Sequence, residues 1–242
     1  MSITKEYSEW LSEEVEYFNK EFDSYINAFY DNTGWVAYRE IAYDLSNVNN
    51  IRYTVLDIGS GPQPSIPKLY QKADKYVCVD PAEKNIENLK NYFPHSEPKL
   101  GTIEGLDSYK LGTFDIVVCF GVLHHVFSPD DALMMIKSSL NENGLFISHE
   151  PSNYWDGKMG SPNERGFLYA NWVQLINKNF SEIVINRYNN TVFRRTVYTI
   201  LSALHLWPII KSVKFWKTIH HIEAIIGRLG LEGSDFLTFA RV

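Results

Sequence analysis

From Thr54 onward the chain alternates short unbroken apolar runs with longer stretches that are polar on one side. The runs are TVLDIG (54–59), YVCVD (76–80), FDIVVCF (114–120) and GLFISHE (144–150). Between them lie SIPKLYQKA (65–73), EKNIENLKNYF (83–93) and SPDDALMMIKSSLNENG (128–144). A strand covered on both faces reads as a continuous hydrophobic run, so this alternation predicts βαβ units and a parallel sheet. Ser128-Pro129-Asp130-Asp131 has the form of an N-cap followed by proline and two acids, and Asn143-Gly144 is expected to close that helix. After a polar loop, PSNYWDGKMGSPNERG (151–166), the pattern predicts a helix near FLYANWVQLINKNF (167–180), a strand at SEIVINRY (181–188) and a last strand at DFLTFARV (235–242).

Two segments stand outside this alternation. The first fifty residues place Tyr7, Trp10, Leu11, Val15, Phe18, Phe22, Tyr25, Ile26 and Phe29 at three- and four-residue steps, the period of an amphipathic helix. Residues 191–230 are also helical in pattern and too long for a turn. The expected division is a helical lid over 1–50, an α/β core over 51–190 and 231–242, and a helical cap over 191–230. Charge separates the same segments. The first fifty residues hold ten Asp/Glu against three Lys/Arg, whereas 191–230 holds Arg194, Arg195, Lys211, Lys214, Lys217 and Arg228 against Glu223. That cap therefore carries +5 within a chain of net −6. Its longest uncharged stretch, Thr196 to Ile210, falls short of the roughly 20 apolar residues that span a bilayer.

The overall charge of −6 gives no field that would gather a polyanion, so nucleic acid is not an expected partner. Cys78 and Cys119, the only two cysteines, lie in apolar runs without metal-ligand spacing, and buried free thiols are expected. The acidic start lacks the basic and apolar segments of a secretory signal, which makes the cytoplasm the expected location.

The chemistry gathers at the ends of the apolar runs. Asp57-Ile58-Gly59-Ser60-Gly61 takes a strand into a glycine turn, where a ligand can approach the main chain without meeting a Cβ. Asp80 ends the next run, where a carboxylate can accept hydrogen bonds from both hydroxyls of a ribose. A nicotinamide dinucleotide loop would continue to a third glycine, but Gln63 and Pro64 stand there instead. In these residues, together with FDIVVCFGVLHHV and GLFISHEP, the chain resembles the class I S-adenosylmethionine-dependent methyltransferases that act on small molecules. The resemblance covers about residues 51–150. It implies a doubly wound, mostly parallel Rossmann-like sheet of seven strands with an antiparallel C-terminal strand. It also implies S-adenosylmethionine as cofactor and S-adenosylhomocysteine as product. By the same resemblance Asp57, Gly59, Ser60 and Gly61 line the methionine and ribose part, Asp80 takes the ribose diol and Pro81 lies against adenine. Thr102, Ile103 and Glu104 flank the adenine amine, and Phe120 and Gly121 close the site at the end of the fourth strand. The family's third glycine is Gln63 here, and its usual aspartate beside the amine is Thr102.

His124 and His125 follow the fourth strand, on the edge where ligands of open α/β sheets bind. Methyl transfer needs a base only when the acceptor must lose a proton, and histidine suits that task at neutral pH. His125 is the first choice and His124 the second. Glu150, ending the fifth strand, is placed to bind an acceptor amine or hydroxyl, or else to anchor a loop. No carboxylate cluster accompanies the histidines, so no metal is expected. The expected reaction is methyl transfer to oxygen or nitrogen of a small molecule such as a sugar, nucleotide sugar or natural product. The alternatives are a lipid or membrane-associated acceptor, reached through peripheral contact by 191–230, and a binding module of the same fold without turnover.

Overall fold

All the apolar runs are strands of one sheet in the computed structural model, which describes residues 5–23, 26, 33–48, 52–152, 161–188, 191–228, 233 and 235–242. Tyr25, Phe29 and residues 153–160 of the polar loop lie outside the described residues, as does the side chain of Trp207. The strands are β1 (Thr54–Ile58), β2 (Lys75–Asp80), β3 (Ser96–Leu100), β4 (Phe114–Phe120), β5 (Leu140–Pro151), β6 (Ser181–Tyr188) and β7 (Asp235–Arg241). They lie in the order β3-β2-β1-β4-β5-β7-β6. The first five run parallel, and β7 is antiparallel to both of its neighbours. The order reverses between β1 and β4, so the carboxyl ends of β1, β2 and β4 meet at a switch point, where an open sheet leaves a crevice for a ligand.

Nine helices are described: α1 (Lys5–Lys20), α2 (Thr33–Ser46), α3 (Pro67–Lys72), α4 (Glu83–Tyr92), α5 (Pro129–Ser138), α6 (Tyr169–Asn179), α7 (Thr191–Ala203), α8 (Trp207–Ile210) and α9 (Val213–Arg228). A 3-10 turn occupies Ile103–Tyr109. Because side chains alternate along a strand, the sheet has two apolar faces. Val55, Ile116 and Ile147 face one core with Ile41 of α2, Leu69 of α3 and Leu89 of α4. Leu56, Val117 and Phe146 face the other with Leu133 of α5 and Trp172 of α6. Trp172 is fully buried, and its indole N–H donates to Thr238 Oγ1 at 2.9 Å, so the ring costs no unpaired donor.

Three local features depart from the sequence reading or add to it. The helix from Ser128 does receive its cap, with Asp131 N–H donating to Ser128 Oγ, but it ends at Ser138 rather than at Asn143-Gly144. Leu140 already pairs with Phe114, and Asn143 takes its turn at φ 63° inside β5. The third strand, SEPKL, is an exposed edge, where Pro98 costs no ladder bond and no apolar run is needed. The charge contrast between the two ends of the chain is in part an internal pairing: Lys217 of α9 contacts Asp44 at 2.6 Å and Glu40 at 3.2 Å, both on α2. Arg194 of α7 forms a two-pronged pair with buried Glu223 of α9 at 2.6 and 2.8 Å, and its Nη2 also donates to Tyr38 of α2. Two of the cap's six cations, Arg194 and Lys217, thus tie it to α2 of the sheet's helical cover.

Candidate active site

The turn after β1 is built from inside. Gly59 and Gly61 have φ of 62° and 67°, a region that side-chain-bearing residues avoid. A Cβ on Gly59 would also stand 2.5 Å from Val122 Cγ2, so the turn and the loop after β4 touch through the missing side chain. Asp80 holds the turn to β2: its Oδ2 accepts from Gly61 N–H at 2.9 Å, and its Oδ1 from Ala82 N–H at 2.9 Å and Asn85 Nδ2 at 3.0 Å. Burial pushes the Asp80 carboxyl up, and these three donors oppose the shift. Each carboxylate oxygen has two acceptor positions, so Oδ2 keeps one for a molecule in the crevice.

Asp57, expected beside the cofactor, lies instead behind the turn. It is fully buried and accepts from Ser65 N–H, Ser65 Oγ and Tyr76 Oη, each at 2.7 Å. Its work is to hold the start of the proline-rich run Pro62–Pro67 against β2. Burial pushes its carboxyl up to about 6 despite those donors. Ser60 is also turned inward, with its Oγ against Gly61 O at 3.4 Å.

A cleft of about 780 Å³, counting its open mouth, runs along the switch point. Gly59, Gly61, Asp80, Pro81 and Asn85 form its floor; Gly101, Thr102, Ile103 and Glu104 form one end. Gly121, Val122, His125, Val126 and Phe127 come from the loop after β4. The roof is α1, through Tyr7, Trp10, Leu11, Glu14 and Phe18. Tyr7 Oη lies 3.3 Å from both Thr102 Oγ1 and Glu104 Oε2. Trp10 donates its indole N–H to His125 O at 3.0 Å and meets Phe127 edge-on at 5.5 Å.

The loop after β4 hangs from one carboxylate. Glu150 is fully buried; its Oε1 accepts from the N–H of Val122 and Leu123, and its Oε2 from that of His124 at 3.2 Å. The same Oε2 lies 2.7 Å from His124 Nδ1, so ring and carboxylate share a proton. Burial pushes Glu150 up to about 7 and His124 well below its ordinary value. Neither lines the cleft. Of the two uses open to Glu150, the structure realises the loop anchor, and its lone pairs are spent there rather than on an acceptor. His124, buried at its side, fills the same supporting place. Phe120 likewise stands off the cleft, stacked on His149 with ring centres 5.1 Å apart.

His125 does face the cleft. Its Nδ1 lies 2.9 Å from Ser161 Oγ and 3.2 Å from Glu14 Oε2. Glu14 is 5% exposed. Its carboxyl is held below the usual range: burial works to raise it, and His125, Ser161 and the Asn163 N–H overcome that. The pair joins residues 111 positions apart, and Glu14 was legible only as an anomaly. It occupies a step of the Tyr7, Leu11, Phe18 stripe where the helical period calls for an apolar residue. Among the described residues, no group of three or more His, Cys, Asp or Glu side chains could hold a metal ion.

A sheet of this order, with a glycine turn after β1 and an acid ending β2, defines a nucleoside-binding enzyme fold of the doubly wound class. The chain belongs to the methyltransferase family: the model described as "Methyltransferase domain" matches residues 18–200. Its sheet order is the fold that solved S-adenosylmethionine-dependent methyltransferases share. A ubiquinone biosynthesis O-methyltransferase of Rickettsia akari is 28% identical over 97 residues, 38% of each chain. The chain thus spans about two fifths of the length of the curated relatives it matches. Two solved structures share the fold at 15% identity and a TM-score of 0.62. One is a methyltransferase of Thermotoga maritima described as a possible histamine N-methyltransferase, covering 94% of this chain and 98% of its own. The other is the 1,6-didemethyltoxoflavin N1-methyltransferase of Burkholderia thailandensis with S-adenosylhomocysteine bound, covering 100% and 91%.

The raised carboxyl of Asp57 has a stability consequence. The folded state holds a proton up to about pH 6, whereas the unfolded chain releases it near 3.8, so this group's contribution is full below pH 3.8 and is lost as pH rises to 6. The loss amounts to about 3 kcal/mol. Asp57→Asn removes that proton, so chemical denaturation at pH 4 and pH 6.5 should show the difference between wild type and variant shrinking by about that amount at the higher pH. Parallel curves for the two proteins would refute the assignment.

Proposed function

We propose that the protein methylates a hydroxyl oxygen of a small, uncharged, ring-bearing molecule, with His125 as general base and Glu14 orienting it. The observation that carries this reading is the His125–Glu14 contact at 3.2 Å inside the cleft. An ionised Glu14 favours the tautomer with the proton on Nδ1, which leaves Nε2 able to accept a proton. When Nε2 takes the acceptor's proton, the resulting imidazolium is stabilised by the same carboxylate.

S-adenosylmethionine supplies an electrophilic methyl on a sulfonium centre. The residues present suit it: the main chain at Gly59 and Gly61 would take the methionyl part, and the remaining acceptor position on Asp80 the ribose hydroxyls. Pro81 and Ile103 would flank adenine, with Thr102, Glu104 and Gly121 beside them. Much of the rate comes from holding acceptor and methyl in line and close. The roof serves that end, since Trp10, Leu11, Phe18 and Phe127 offer flat apolar walls and exclude water.

The titratable side chains on the cleft wall are Tyr7, Glu14, Asp80, Glu104 and His125, an acidic set that repels an anionic acceptor. Of the acceptors considered from sequence, this favours a neutral natural product over a nucleotide sugar. An oxygen target also agrees with the name of the Rickettsia relatives.

Two variants test the reading against a panel of phenolic acceptors. His125→Ala should lower kcat by about 100-fold or more while S-adenosylmethionine affinity in calorimetry stays unchanged. Asp80→Ala should do the reverse and weaken the cofactor at least about tenfold, the equivalent of a lost charged hydrogen bond. Full turnover by His125→Ala would remove the base, and unchanged affinity in Asp80→Ala would remove the ribose contact.

A further inference from the structure

The outer part of the helical cap has a surface that neither the core nor the cleft uses. At the end of α7 the chain reverses through His205, whose φ is 56°, with His205 N–H donating to Ser202 O and Leu206 N–H to Leu201 O. That reversal holds Leu204 and Leu206 outward. Leu204 is 61% exposed, Ile200 before it 53% and Ile209 of α8 40%. Large apolar side chains brought together at one exposed turn mark an interaction surface.

Charge says which surface it fits. Between Thr191 and Ile222 the sequence holds no acidic residue. The cap's inner cations are neutralised, Arg194 by Glu223 and Lys217 by Asp44 and Glu40. Arg195, Lys211 and Lys214 are exposed and, among the described residues, have no acidic partner. Leu206, Ile209, Lys211 and Lys214 follow one another within nine residues, apolar tips beside free cations. Apolar tips beside cations on a short helical turn suit the interface of an anionic bilayer; no described helix is long and apolar enough to cross one.

We infer that the turn from Ile200 to Lys214 docks the protein on an anionic lipid surface, with Leu204, Leu206 and Ile209 entering the headgroup layer and Arg195, Lys211 and Lys214 pairing with lipid phosphates. Apolar insertion and charge attraction add, and neither suffices alone for stable attachment. The inference stands apart from the acceptor and base assigned above, since it uses none of their residues.

The test is co-sedimentation of the full chain with vesicles of phosphatidylcholine alone and with 30 to 40% phosphatidylglycerol (roughly the anionic range over which surface charge matters). Binding should require the anionic lipid and fall with added salt. Lys211→Glu with Lys214→Glu should lower the partition coefficient by about fivefold or more for each charge removed. Leu204→Ser with Ile209→Ser, both at exposed positions that folding does not need, should abolish binding even at low salt. S-adenosylmethionine affinity should be unchanged in both variants, which separates a failure here from a failure of the methyltransferase site. Equal binding to both vesicle types, no binding to either, or full binding by the apolar variant would overturn the proposal. So would a dimer in light scattering that the same apolar substitutions dissociate, because a second copy would then be the occupant.

Discussion

The carboxylate of Glu150 is the point from which the site is built. A fully buried acid is costly unless its oxygens are filled, and here three consecutive backbone N–H groups and one imidazole fill them. The geometry leaves the segment from Val122 to His124 little freedom. Gly121 and His125 stand at either end of that segment, so the carboxylate fixes where the cleft wall begins and where His125 projects. Val122 is pressed against the side-chain-free Gly59, which couples this loop to the turn after β1. Two loops from neighbouring strands thus share one anchor at the switch point.

The roof depends on a different kind of contact. α1 contributes few residues to the main core and packs by aromatic edges and single hydrogen bonds, as with Trp10 on His125 O and Tyr7 on Thr102. Elements held by few buried apolar contacts are drawn from the less stable end of a protein, where opening is cheap. A roof that carries Glu14 therefore joins two events. On the function proposed above, closing the cleft over a bound molecule and completing the His125 pair would be one event.

The sheet was readable in the sequence because burial on both faces leaves unbroken apolar runs in β1, β2, β4 and β5. The edge strand SEPKL was not, since it is largely exposed and carries no apolar run. The floor of the cleft was partly readable: Gly59, Gly61 and Asp80 line it where the turn and the second strand predict them. Asp57 and Glu150 look alike in sequence to groups that touch ligands, since each is an acid at a strand's carboxyl end. Only the count of donors around each oxygen assigns them to support. Glu14 shows the opposite difficulty. It is one of ten acids in the first fifty residues, and its partner lies 111 residues away; only its place in an apolar stripe distinguishes it.

The most direct measure of the central claim, that α1 completes the catalytic base, is a double-mutant cycle on kcat with Glu14→Gln and His125→Ala. If Glu14 acts through His125, its substitution slows the wild-type enzyme but adds almost nothing once His125 is gone, giving a coupling near the full effect of Glu14→Gln. Two losses that simply multiply would show that the residues act independently and contradict the account.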